Sequence, residues 1–138
     1  MKRLITNDRA RVGKWVAERV GRDSPWVDSP ALGLEQDGEL IAGIVIDGIC
    51  PNARGSMHCA GVGKRWLNRE FLFSCFDYAF RVLDLKVLLN PVSLENKDSM
   101  RFTEHIGFRE IAQIPYAWDG KETLVLYELQ RADCRWLP

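Results

Sequence analysis

The sequence predicts an α/β domain built on a mixed sheet. Strand-like and helical hydrophobic patterns follow one another along the 138 residues in the order β, α, β, β, β, α, β, α, β, β. Such an order is typical of a sheet with helices packed against it. A chain of this length is about one ordinary domain, so we expect residues 1–138 to form a single domain with its own core.

The N-terminal region predicts a short strand followed by a helix. The strand covers Lys2–Thr6, and either Asn7 or Asp8 can cap the helix with its side-chain oxygen. Apolar residues then recur at helical spacing until Gly21, a residue type that commonly ends helices.

A hairpin and a third strand are predicted next. Asp37 and Gly38 stand between two β-like runs, and this dipeptide is a strong short-range hairpin signal. The run from Glu39 to Asp47 is almost wholly apolar, which predicts a central strand covered on both faces. Residues 48–55 contain two glycines, a proline and an asparagine, which predicts a loop before a strand over residues 56–60.

The clearest helix begins after Asn68, which we predict to be its N-cap. Two adjacent rows of apolar residues at helical spacing then form a wide hydrophobic stripe. The rows contain Phe71, Cys75, Ala79 and Leu83, and Leu72, Phe76 and Phe80.

A proline-broken strand, a short helix and two strands complete the chain. The strand covers residues 86–92, and Pro91 predicts that one side of it is unpaired, because proline has no N–H to donate. Asn96 caps a helix that ends at Gly107. Residues 108–115 and 123–129 read as the last two strands.

Composition excludes several classes of protein. The 19 basic and 19 acidic side chains cancel, which argues against a nucleic-acid or membrane surface, since both require excess cations. No apolar run is long enough for a membrane helix, and the N-terminus does not read as a signal peptide. The four cysteines form no Cys-x-x-Cys pair, so we expect no metal site. A cytoplasmic protein with reduced, mostly buried thiols is the simplest interpretation.

The segment between the third-strand region and the long helix is a candidate anion site. Gly61 and Gly63 would let the backbone approach a ligand, and Lys64, Arg65 and Arg69 supply positive charge beside a helix N-terminus. A polar connecting loop with a solvated basic face explains the same residues, and both interpretations stay open. A nucleic-acid accessory role through these cations is disfavoured by the zero net charge.

Several segments together resemble the GNAT superfamily of N-acetyltransferases. The resemblance covers most of the chain in element order and is specific from about Gly61 to Phe108. Within the superfamily it is closest to the branch that acetylates ribosomal-protein N-termini and to acetyltransferase-like proteins of bacteriophages. The residues that carry it are residues 77–80 and 83–87, Asn96, Ser99 and residues 106–108.

The resemblance implies a mostly antiparallel mixed sheet whose two central parallel strands splay apart, with helices on both faces. Acetyl-CoA would bind as cosubstrate in the gap, with its pantetheine arm on the main chain from His58 to Ala60 and its pyrophosphate on the loop before the long helix. The cofactor-binding residues implied in this way are Cys59, Ala60, Gly61, Gly63, Lys64, Arg65, Trp66, Leu67, Asn68, Arg69, Asn96, Ser99 and Phe102.

The resemblance also implies the reaction. A primary amine, on a protein N-terminus or a small molecule, would attack the thioester directly through a tetrahedral intermediate. His58 is the candidate base, and a backbone N–H near Ala60 is the candidate donor to the oxyanion. Glu35 and Asp47 are weaker candidates for the base, since each also reads as a solvated strand end.

The sequence departs from the family pattern at two places. Aligned backward from Ala79-Phe80, the glycine positions of the usual cofactor loop fall on Lys64 and Trp66, whereas a shifted register uses Gly61 and Gly63 but starts the helix early. Thr103 stands where many members have an acidic tyrosine. Tyr116 is the candidate replacement acid. A GNAT-shaped module that has lost transfer and engages a protein partner is therefore the alternative. Exposed strand edges in this fold often pair, so a homodimer is also compatible with the resemblance.

Overall fold

The structure, a computed structural model, describes residues 1–63 and 68–138. Its strands and helices follow the predicted order. They are β1 (Lys2–Ile5), α1 (Arg9–Val20), β2 (Ala31–Gln36), β3 (Glu39–Cys50), β4 (Arg54–Gly61), α2 (Arg69–Asp77), β5 (Val87–Ser93), α3 (Lys97–His105), β6 (Arg109–Ile114) and β7 (Leu124–Gln130).

All seven strands belong to one sheet with the order β1-β2-β3-β4-β5-β7-β6. Among the pairings formed by the described residues, only that between β4 and β5 is parallel. The predicted mixed, mostly antiparallel sheet is therefore confirmed. The single parallel pairing lies at the centre of the sheet, where two antiparallel halves meet.

The predicted hairpin joins β2 to β3. Asp37 and Gly38 have φ angles of 53° and 89°, both in the left-handed region that a two-residue turn of this kind requires. β3 is buried continuously from Ala42 to Ile46, as the apolar run predicted, because α1 covers one face of the sheet and α2 the other.

The predicted loop over residues 48–55 is wrong in extent. β3 continues to Cys50 and β4 begins at Arg54, so only a tight turn separates them. Gly55 lies inside β4, where a Cβ would come within 2.8 Å of the Ile46 side chain. This glycine serves close packing in the sheet, whereas in sequence it resembles a turn residue.

Two hydrophobic cores fix the helices on opposite faces of the sheet. α1 packs through Val12 and Val16 against Val45, and α2 packs through Phe76 on the other face. α2 continues without a break into a wider π-type turn over Tyr78–Val82. Among the described residues, none of the helices combines the length and apolar character needed to cross a membrane.

Gly13 is where α1 lies closest to the loop that precedes β2. A Cβ at this position would come within 2.0 Å of the main-chain oxygen of Trp26. We expect Gly13→Ala to lower the free energy of unfolding by about 1–3 kcal/mol, because the added Cβ forces the helix and the loop apart. Alanine has a better helix propensity than glycine, but this gain is smaller than the cost of the displaced packing. Urea denaturation measures this loss, with Lys14→Ala at the adjacent exposed position as the control. Equal stability of the two variants would contradict the prediction.

Candidate functional site

β4 and β5 separate after a short parallel ladder. They pair only at Arg54–Val87, Gly55–Leu88 and Ser56–Leu89 among the described residues. Beyond that point β4 follows β3 and β5 follows β7. A cleft of about 570 Å³ opens between the diverging strands, which confirms the predicted splay.

The hydrogen-bond register of β4 decides which main-chain groups face the cleft. Val62 N–H donates to the Ile41 oxygen at 2.8 Å, and the register between β3 and β4 is regular from there to Ser56. Main-chain groups alternate in direction along a strand, so the N–H of Ala60 points toward β3. The N–H groups of Cys59 and Gly61 point into the cleft. The hydrogen-bond donor to the oxyanion, predicted near Ala60, is therefore the N–H of Cys59 or Gly61 and not that of Ala60 itself.

Pro91 lies on the opposite wall of the cleft. The Leu94 N–H donates to the Thr123 oxygen at 2.9 Å, and the register between β5 and β7 is regular from Val87 to Ser93. By the same alternation, the nitrogen of Pro91 faces the gap, where the described strands form no ladder. The predicted unpaired side of this strand is confirmed.

The cleft passes through the sheet and has side chains from both faces on its walls. His58 and Ala60 project toward the face covered by α1, whereas Cys59 packs against the core under α2. The lining residues are Arg19, Val20, His58, Cys59, Ala60, Gly61, Asn90, Pro91, Val92, Ser93, Asn96, Asp98, Ser99, Phe102, Thr103 and Trp118.

His58 is held by a carboxylate on the neighbouring strand. Its Nε2 lies 2.7 Å from Oδ1 of Asp47, and its ring lies against the Trp26 indole at a centroid distance of 4.7 Å. Burial opposes ionisation of Asp47, but hydrogen bonds from His58 and Trp26 and the charges of His58 and Arg22 outweigh it. The pKa of Asp47 is therefore lowered from its ordinary value of 3.8.

The α3 side of the cleft carries asparagines and hydroxyls. Asn96 caps α3, and its Oδ1 accepts from the Ser99 N–H at 3.1 Å. Asn90 Nδ2 donates to the Thr103 hydroxyl at 3.0 Å. Sequence reasoning missed Asn90, although a lone amide within an apolar strand is a detectable signal.

Several predicted site residues are not among the residues that line this cleft. Tyr116 is 72% exposed in the loop after β6 and is not among the cleft-lining residues given above. Asn68 caps α2 through the Phe71 N–H, as predicted. Arg69 lines a separate cavity of about 480 Å³ together with Phe73 and Trp136.

The remainder of the predicted cofactor loop is described only in part. Gly63 follows β4 and adopts a φ of 67°. Lys64, Arg65, Trp66 and Leu67 lie outside the described residues.

Neither Glu35 nor Cys59 is suited to a catalytic role. Glu35 lies 2.7 Å from Arg11 and 3.5 Å from Arg3, and it is not among the cleft-lining residues. Burial raises the pKa of Cys59 to about 12, so its thiol stays protonated and is a poor nucleophile. Among the described residues, no cluster of three histidine, cysteine, aspartate or glutamate side chains could hold a metal ion.

Comparison with known proteins gives structural matches alone. No family model matches the chain, and no curated protein matches it. Mutant forms of the spermidine/spermine N-acetyltransferase SpeG from Vibrio cholerae match with a TM-score of 0.74 and 14% identity, covering 96% of each chain. The putative acetyltransferase yncA from Salmonella typhimurium, solved with its cofactor acetyl-CoA, matches with a TM-score of 0.70 and 16% identity over 94% of each chain.

A further match is a probable acetyltransferase, with a TM-score of 0.63 and 21% identity over 77% of this chain and 63% of that one. Together with the splayed sheet, these similarities show that the chain has the fold of the GNAT acetyltransferases. Sequence identities as low as these support a shared fold but do not identify the substrate.

Proposed function

We propose that this protein transfers an acetyl group from acetyl-CoA to a primary amine. The observation that carries the proposal is the cleft between β4 and β5, with main-chain N–H groups on one wall and His58 beside them. The structural similarity to acetyltransferases, one of them solved with acetyl-CoA, supports the same function.

The cleft fits the pantetheine arm of acetyl-CoA, which is an extended chain carrying amide groups. The gap-facing N–H group of Gly61 can pair with such an amide as a neighbouring strand would, which leaves the Cys59 N–H free to face the thioester. Asn96, Ser99 and Phe102 line the cleft from α3 and its N-cap and would complete the contact. The described glycines 61 and 63 would bring the backbone close to the pyrophosphate.

Bound acetyl-CoA supplies an activated acetyl thioester, and the protein supplies a base and a hydrogen-bond donor. His58 takes a proton from the amine while the amine nitrogen bonds to the carbonyl carbon. The Cys59 N–H donates to the carbonyl oxygen as negative charge develops on it. Collapse of the tetrahedral intermediate then breaks the carbon–sulfur bond and leaves an amide. The departing coenzyme A thiolate takes the proton that His58 removed from the amine and is released as the thiol, which restores the neutral histidine.

Titration calorimetry with acetyl-CoA tests the binding step. We expect a dissociation constant between about 1 µM and 1 mM, the range of ordinary enzyme substrates. Ser99→Trp places an indole on the cofactor side of the cleft and should weaken binding about tenfold or more. Lys97→Trp puts the same side chain on the exposed first turn of α3 and should leave affinity unchanged. Absence of binding by the unaltered protein at millimolar acetyl-CoA would refute the proposed function.

A GNAT-shaped module without transfer activity is the second candidate. It is favoured by Thr103, which is buried and hydrogen-bonded to Asn90 where many family members carry an acidic tyrosine. Release of coenzyme A thiol in the presence of peptides with free N-termini, polyamines or aminoglycosides separates the two, since turnover with any of them excludes this candidate. The ribosomal-protein or bacteriophage branch and a homodimer remain predictions.

A further inference from the structure

Three nitrogen-bearing side chains surround the Asp47 carboxylate. Oδ1 lies 2.7 Å from His58 Nε2, and Oδ2 accepts from the Trp26 indole N–H at 2.9 Å. The Arg22 guanidinium lies 3.6 Å from Oδ2 and stacks 4.3 Å above the Trp26 ring. Trp26 itself is only 5% exposed, so packing in the core holds the indole that donates to Oδ2 in place. Each carboxylate oxygen therefore has its own partner.

This geometry determines which nitrogen of His58 carries the proton. An ionised carboxylate accepts hydrogen bonds and donates none, so Nε2 must be the protonated nitrogen when the ring is neutral. Nδ1 then has the lone pair and is the basic atom. Asp47 is not among the cleft-lining residues, whereas His58 is, so Asp47 acts on the cleft through the histidine.

We propose that Asp47 is a positioning residue that fixes the Nε2–H tautomer of His58 and makes Nδ1 the base, and that Trp26 fixes the orientation of the carboxylate. The catalytic part of this inference rests on the proposed function. The tautomer is a property of the free protein and can be measured without any substrate.

Asp47→Asn is a sharp test because the Trp26 indole can only donate. The amide oxygen of the new side chain must face Trp26, so its NH₂ group faces His58 Nε2. Nε2 then becomes an acceptor, and the ring proton moves to Nδ1. We expect kcat to fall about 100-fold or more, as when a histidine base is held in the wrong tautomer.

Adding Trp26→Phe to Asp47→Asn removes the donor that fixes the amide. Arg22 is half-exposed and can turn to solvent, so the amide can present its oxygen to His58. We expect the double variant to regain about tenfold in kcat over Asp47→Asn, a non-additive result that signals direct coupling. A double variant no more active than Asp47→Asn would overturn the role of Trp26 and the proposal with it.

Glu35→Gln is the matched control for loss of a carboxylate. Glu35 is a mostly buried acid on the adjacent strand β2, paired with arginines away from the cleft. We expect the Glu35→Gln variant to keep kcat while losing some stability. The comparison then separates a general effect of removing a buried charge from a specific effect on His58. Thermal denaturation of every variant confirms that activities are compared for folded protein.

Nitrogen NMR of the protein labelled in its histidine side chains tests the tautomer directly. The chain has two histidines, and His105→Gln assigns the signals. We expect a protonated Nε2 in the neutral ring of His58, moving to a protonated Nδ1 in Asp47→Asn. A protonated Nδ1 in the unaltered protein would overturn the inference. A correct tautomer with no binding of acetyl-CoA would instead refute only the proposed function.

Discussion

Replacing His58 with glutamine is expected to lower kcat about 10²–10⁴-fold, the range for loss of a general base. Glutamine keeps a polar side chain that can donate to Asp47, so the contact at the cleft wall is retained while the base is lost. Binding of acetyl-CoA should change little, because the proposed cofactor contacts are main-chain groups of β4 and side chains of α3. Thiol release measures kcat, and calorimetry measures affinity.

His105→Gln is the matched control for this substitution. His105 is exposed at the end of α3, outside the cleft lining, and is the other histidine of the chain. It should keep kcat within about twofold, the scatter of neutral surface changes. A His58→Gln protein that is as active as His105→Gln would show that the base lies elsewhere or that the amine reacts already deprotonated.

Phe76→Ala is expected to cost about 3–5 kcal/mol of unfolding free energy, the usual loss for a buried phenylalanine. The Phe76 side chain is completely buried between α2 and the sheet. Its ring lies 6.2 Å from Phe80 and 6.4 Å from Phe108, so the cavity would be lined by rings that cannot all move in to fill it. Such a loss is a large part of the total stability of an ordinary domain.

Phe73→Ala is the control for Phe76→Ala, with the same change on the same helix. Phe73 is half-buried beside a surface cavity, so its removal should cost about 1 kcal/mol. Urea denaturation of both variants gives the comparison. Losses of equal size would contradict this packing, since they would mean that α2 does not face the core through Phe76.

The order of strands and helices was predictable because each element carries a local signal. The hairpin follows from the left-handed preference of Asp37-Gly38, and the helix starts follow from Asn68 and Asn96, whose side chains do cap their helices. The predictions failed where a residue type that is common in loops is present for a reason that lies in the tertiary packing. The sequence predicts Gly55 to be a loop residue, yet it is a strand residue that leaves room for Ile46.

Part of the cleft lining could be named from the sequence, through the resemblance as well as through local signals. His58, Asn96 and Ser99 were identified from the sequence and lie in one cleft. Asn90 was missed because a lone amide in an apolar strand marks an unusual position but does not show that the position faces a cleft. Tyr116 is a candidate acid because the resemblance places its loop on the acceptor side, but its side chain is largely exposed to solvent.

The sequence alone determined the class of fold, since hydrophobic periodicity, caps and turn residues act over a few positions and specify strands and helices directly. Only the tertiary structure decided where β4 and β5 part, because strand separation depends on pairing between segments far apart in the chain. It also decided that Asp47 meets His58 and Trp26, 11 and 21 positions away. Such contacts depend on sheet register and packing, which leave no local mark on the sequence.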